Sequence, residues 1–189
     1  MTDFNAAGPQ RSFEVISDGT VAVVKVIIRP GGAGDGGWLR RSKDGQSEGL
    51  DCEFIVTDGE FAKRKFWTLF TLAGTTDGHG QAAEISATKL RAILESARGI
   101  RPDDQSDAAK AARQVASYGD FDGLNFIARI GVEPPRGDYK AKNTLDHVVT
   151  PDETGWHQVT QQPKPAATPM PSARPATVAA KIERPRWAS

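Results

Sequence analysis

The segment "LDCEFIVTDGEFAKRKFWTLFTL", residues 50–72, restricts the folds open to this chain more than any other stretch. Two runs of alternating apolar and polar side chains flank "TDGE", and Asp-Gly between alternating runs is the strongest short-range signal for a hairpin. Two antiparallel strands joined at Asp58 and Gly59 are expected. In the second strand Phe66, Phe70 and Leu72 are expected to face a core, which leaves Lys63, Lys65, Trp67, Leu69 and Thr71 together on the other side.

That other side is basic and aromatic. Single strands of nucleic acid are held by cations along the phosphates and by aromatic faces under the bases, at about 1 to 3 kcal/mol per stacked base. Lys63, Arg64, Lys65 and Trp67 are therefore candidate contacts. A plainer reading fits the same residues: lysines guard an edge strand against aggregation, the basic triplet is a solvated hairpin end, and Trp67 belongs to a core shared by both faces.

Elsewhere the pattern supplies further strands and a helix. "TVAVVKVIIRP" is a β-branched run stopped by Pro30, and the glycines of "GGAGDGG" then open a flexible loop spanning about residues 30–48. Within it "WLRRSKDG" places Trp38, Arg40, Arg41 and Lys43 either on a flap able to close over a bound strand or on a disordered, solvated loop. "ISATKLRAILESARG" reads as a helix with Ser86 as N-cap, Ile85 and Leu90 as a hydrophobic staple, Leu90, Ile93, Leu94 and Ala97 as its buried stripe, and Gly99 at its end. "DDQSDAAKAARQVASYG" is a weaker second helix, rich in Ala. "LNFIARIGVEPP" and "YKAKNTLDHVVTP" are two more strands across a Pro-Pro-Arg-Gly turn, with Tyr139, Lys140 and Lys142 at the start of the second.

Three strands, one or two helices and two strands give a mainly β chain. The order is that of an OB-like five-stranded antiparallel barrel, whose sheet face binds oligonucleotides; an open five-stranded sheet with a helix on one side has the same order. The barrel reading puts the helix stripe at one end of the barrel as a plug. Residues 1–157 would make this single domain. From Gln158 onward the composition turns to Pro, Ala and Thr, with too few bulky apolar residues to offset ordering entropy, so residues 158–189 are expected to be a disordered tail dispensable for folding. Lys164, Arg174, Lys181, Arg184 and Arg186 against Glu183 give that tail a charge of +4 and leave −4 on the rest, since the whole chain sums to zero. An acidic body argues against coating duplex DNA by bulk charge, while a local basic strip can still hold phosphates.

Enzyme chemistry lacks its groups in this sequence. "GGAGDGGWLRR" has no Gly-Lys-Ser/Thr to serve as a phosphate loop. His79, His147 and His157 stand far apart, with no Cys or His at zinc-ligand spacing. The one cysteine, Cys52, alternates with Leu50, Phe54 and Val56 and reads as a buried structural thiol. Asp51, Glu53, Asp120 and Asp122 are acids that a magnesium-dependent nuclease could use; Asp51 and Glu53 share a strand face, which the solvated side of a half-buried strand explains as well. No cofactor and no metal is expected. Without a signal-peptide pattern or a long apolar run, a cytoplasmic protein is expected, with no membrane partner.

A resemblance joins these pieces. "DGEFAKRKFWTLFTL", then the helix around "ATKLRAIL", then "FDGLNFIARIGVEP" leading to "GDYKAKNTLDHVVTPD", resembles a phage-associated family of uncharacterised proteins related to single-stranded-DNA-binding proteins. The matching positions are Gly59, Phe61, Lys63, Arg64 and Phe66, then Gly137, Tyr139, Lys142 and Asn143, within about Val15 to Asp152. The resemblance implies a phage or prophage protein that handles single-stranded DNA during replication or recombination without a reaction of its own. A recombinase or helicase is the protein partner it suggests, and a homo-oligomer is an open alternative. The chain departs from the housekeeping proteins of that kind, because "KIERPRWAS" is basic where they end in an acidic tip. The competing reading is an interaction module that docks on a replication or recombination enzyme.

Overall fold

The computed structural model describes residues 14–161. Its strands are β1 (Thr20–Ile28), β2 (Arg40–Arg41), β3 (Ser47–Val56), β4 (Lys65–Gly74), β5 (Asn125–Glu133) and β6 (Lys142–Val148). Two α-helices, α1 (Asp77–Arg98) and α2 (Asp107–Ala112), lie between β4 and β5. All pairings are antiparallel: β1 lies between β3 and β5, β6 borders β5, and β3 pairs β4 on its other edge.

The sheet is open. Among the described residues no ladder joins β4 to β6, so the expected closed five-stranded barrel gives way to an open six-stranded antiparallel sheet. The sixth strand is β2, which pairs with β3 beyond the point where β1 ends: Arg40 faces Gly49 and Arg41 faces Glu48. The two terminal strands still approach each other, since Leu145 N donates to Thr68 Oγ1 at 3.4 Å. Where the barrel reading puts a plug at one end, α1 packs against β4, β5 and β6, and Lys89 Nζ donates to Leu145 O at 2.8 Å.

The core is built by the expected alternation. Phe54 stacks on Phe66 with ring centroids 5.1 Å apart and meets Phe70 and Phe126 edge-on at 6.3 and 5.8 Å. Leu90, Ile93, Leu94 and Ala97 of α1 are buried against this cluster, as their spacing predicts. A bulge at Glu48 and Gly49 interrupts the β3–β4 register. Glycine is needed there, because a Cβ on Gly49 would lie 2.6 Å from Phe70 O.

The two ends of α1 differ in how closely they follow local signals. Gly99 terminates the helix in the left-handed conformation, with its N–H bonded to Glu95 O, as a C-terminal glycine should. The start lies ten residues before the expected one: Thr76, not Ser86, caps α1, accepting from His79 N at 3.2 Å. Ser86 is buried in mid-helix and Ile85 is exposed, so neither the Ser86 cap nor the Ile85 staple forms. "DGHGQAAE" carries little apolar periodicity, which is why its helical state is not legible locally.

The chain also remains packed beyond residue 157. Val159 is buried with Ile127 and Val149, flanked by Val23 and Trp156. Gln161 accepts from Asn125 N at 2.9 Å and donates to Ala97 O and Asn125 O, and Asn125 Nδ2 donates to Thr160 O. The expected tail boundary thus falls inside a strap that covers β5, and both Asn125 and Ile127 are buried although they sit on the face opposite Phe126. The rest of the expected tail, from residue 162, lies outside the described residues.

Candidate nucleic-acid interface

The strand that carries the basic and aromatic residues presents them as its period requires, with one exception. Phe66 and Phe70 are buried, while Lys65, Trp67 and Leu69 are exposed, Trp67 to 48 % and Leu69 to 56 %. Lys63 does not share this face. The strand starts only at Lys65, and residues 57–64 form an eight-residue connection in which Lys63 adopts a left-handed backbone with φ 69°. It is closed by Lys63 N to Val56 O at 2.8 Å and Val56 N to Arg64 O at 2.9 Å, so Asp58-Gly59 lies inside a loop instead of forming a two-residue turn. Arg64 is half buried and its guanidinium donates to Glu14 O.

The register places two carboxylates of β3 beside these residues. Glu53 lies opposite Trp67, and Asp51 opposite Leu69. Trp67 Nε1 donates to Glu53 Oε2 at 3.2 Å, while Lys65 Nζ lies 2.7 Å from Glu53 Oε1. Asp51 stands 3.0 Å from Arg40 and 3.9 Å from Arg29. Both carboxylates on this face are thus occupied by cations from neighbouring segments. Among the described residues no group of three or more His, Cys, Asp or Glu side chains comes together to hold a metal ion.

The flap is folded back on the body. Ala33 and Leu39 form a bridge, β2 pairs with β3, and half-buried Trp38 packs on the core beside Gly119, where a Cβ would come within 2.4 Å of its ring. Trp38 therefore seats the flap. Arg40 and Arg41 reach across to Asp51 and Glu48, and Lys43 is exposed at the turn. Beside Lys43, hydrogen bonds from the Ser42 hydroxyl and the Gln46 N–H hold the Asp44 carboxyl below its ordinary range.

Two grooves of about 280 Å³ each connect the remaining candidates. One, between β4 and β6, is bordered by Glu14, Arg64, Lys65, Trp67 and Lys142. The other, at the loop joining β5 to β6, is bordered by Glu133, Arg136, Tyr139, Lys140 and Lys142. Lys142 belongs to both and also pairs with Glu133 at 3.0 Å. Together the linings hold five cations against two carboxylates, and Tyr139 is 82 % exposed. The structure thus brings Arg64, Lys65 and Trp67 into one strip with Tyr139, Lys140 and Lys142, while Trp38, Arg40, Arg41 and Lys43 stand apart on the flap.

Arg136 and Glu53 are neighbours of this strip that the sequence does not single out as contacts, and Arg29 is a further cation beside the flap, at Asp51. Arg136 sits within "PPRGDYK", three residues from Tyr139, and adjacency alone could have found it. Glu53 can be placed on an open strand face by its spacing, but only the register shows it opposite Trp67. Asn143, a position of the family resemblance, has a structural role, since it bonds both Ile16 N and Ile16 O and ties the N-terminal segment to β6. Cys52 is fully buried, and burial followed by the nearby Asp51 and Asp122 charges pushes its thiol far up, so it is not a poised nucleophile.

No family model matches the chain, and no curated protein matches it. Among the described residues no helix is long and apolar enough to cross a membrane.

Proposed function

We propose that this chain binds single-stranded nucleic acid, with DNA as the expected ligand, and carries out no reaction of its own. The observation that carries the reading is the Trp67 indole, half exposed beside Lys65 and opening on a groove that shares Lys142 with the Tyr139 loop. Aromatic faces and cations alternate along this strip as stacking and phosphate contact require.

The strand order supports an OB-type interpretation. β1 pairs with both β3 and β5, and β4 and β6 are left side by side next to α1, which is the order of a five-stranded OB barrel with its last seam unpaired. Oligonucleotides bind OB folds on the face of the second and third strands and on the loops after the first and before the last. In this chain those parts are the β3–β4 face with Lys65 and Trp67, the flap with Arg40, Arg41 and Lys43, and the loop with Tyr139 and Lys140. The family resemblance adds the setting: replication or recombination in a phage or prophage, in the cytoplasm, beside a recombinase or helicase.

A second reading is favoured by one observation: Trp67 and Leu69 are adjacent on the exposed side of β4 and would also suit a protein partner. Two variants separate the readings. Lys65→Ala should weaken oligonucleotide binding and lower the salt slope by about 0.7 or less, the value for one phosphate contact on a single strand. Trp67→Ala should lose about 1 to 3 kcal/mol at every salt concentration with no change of slope, because stacking releases no counterions. Absence of oligonucleotide binding by the unmodified protein at about 50 mM salt, where the electrostatic contribution is strong, would reject the nucleic-acid reading in favour of protein docking.

A further inference from the structure

We propose that Glu53 is the positioning residue of this face and a built-in competitor for the phosphate that Lys65 would hold; the inference rests on the single-strand-binding reading above. One carboxylate makes both contacts. Its Oε2 accepts from the Trp67 indole at 3.2 Å and its Oε1 holds the Lys65 ammonium at 2.7 Å. The Glu53 side chain is 17 % exposed and the Lys65 side chain 47 %, so the acid is the fixed member of the pair and the lysine is the end that solvent and ligand can reach.

This geometry acts on the indole and on the ammonium in different ways. The indole is held in one orientation before any base arrives, and a surface ordered in advance loses less on binding than one that must be ordered by its ligand. The ammonium is already neutralised, so a phosphate gains Lys65 only by displacing Glu53. Asp51, two residues along the same face, also neutralises cations, Arg40 and Arg29, but it holds no aromatic ring. Glu53 alone of the two couples the stacking surface to a cation.

The role separates under two substitutions of the same charge. Glu53→Gln keeps an oxygen that accepts from the indole and releases Lys65. It should bind a labelled oligothymidine roughly two- to fivefold more tightly at low salt, the release of one half-exposed ion pair, with a steeper salt dependence. Glu53→Ala releases Lys65 equally and steepens the salt dependence alike, yet also frees the indole, so its affinity should fall below that of Glu53→Gln at every salt concentration. Fluorescence anisotropy across a salt series reads both quantities, and circular dichroism reports folding. Glu53→Gln binding no more tightly than the unmodified protein overturns the competitor role. Equal binding by folded Glu53→Ala and Glu53→Gln overturns the positioning role. Failure of the unmodified protein to bind any oligonucleotide overturns the underlying reading and this inference with it, an outcome that the variants cannot imitate.

Discussion

Replacing Val159 with Ala tests whether residues 158–161 belong to the folded domain, against the composition of the segment, which argues that they do not. Val159 is 7 % exposed and lies on Ile127 and Val149, with Val23 and Trp156 around it. The substitution removes two buried methyl groups, worth about 0.8 kcal/mol each by transfer, and incomplete collapse of the site adds a cavity cost. The expected loss is about 1.5 to 2.5 kcal/mol. For a domain of this size that corresponds to a fall of roughly 3 to 10 °C in the thermal midpoint. Differential scanning calorimetry on the full chain measures it, and Thr160→Ala, at an exposed neighbouring position, is the control and should stay within about 0.5 kcal/mol of the parent. A Val159→Ala midpoint within about a degree of the parent refutes the packing argument and returns the domain boundary to residue 157.

Glu95 is buried on α1 and holds Arg91 at 2.9 Å and Arg113 at 2.7 Å, so Glu95→Ala leaves the largely buried Arg113 without its carboxylate and should cost about 3 to 5 kcal/mol in denaturant unfolding; a loss below about 1 kcal/mol would contradict this. Burial pushes the Glu153 carboxyl up, but hydrogen bonds from His147 and Thr150 outweigh it and hold the group below its ordinary value. Its stabilising contribution is present above the unfolded-state pKa and lost as pH falls through the lowered folded value, so the midpoints of the parent and of Glu153→Gln should differ at pH 6 and converge in acid below about pH 4. A constant difference across that range would show that Glu153 does not titrate with folding.

How much of the molecule is legible in the sequence depends on the range of the physical interaction involved. The antiparallel pairing of residues 50–72, the burial of Phe66 and Phe70 against exposure of Trp67, the α1 stripe and the Gly99 cap all follow from period and local backbone preference, and the structure has them. Lys63 leaves the face that alternation assigns to it because alternation holds only while a ladder lasts, and the closing hydrogen bonds at Val56 end the ladder at Lys65. The long start of α1 is hidden because a Thr76 cap and glycine-rich first turns carry no apolar rhythm.

The sequence by itself determined which side of each strand is apolar and which residue types stand on the other, since that is a property of consecutive side chains. Apart from the β3–β4 pair, tertiary structure alone decided which strand lies beside which, and it set the register of every pair. From that come the Glu53 contacts to Lys65 and Trp67, the flap held by Arg40 on Asp51, and the meeting of Lys65 with Lys142 between β4 and β6. The same level decided that the segment through Gln161 folds back over β5 and buries Asn125 and Ile127, a face that β5's own alternation leaves open. Neighbours far apart in sequence are set by the packing of the whole core, and no local pattern encodes them.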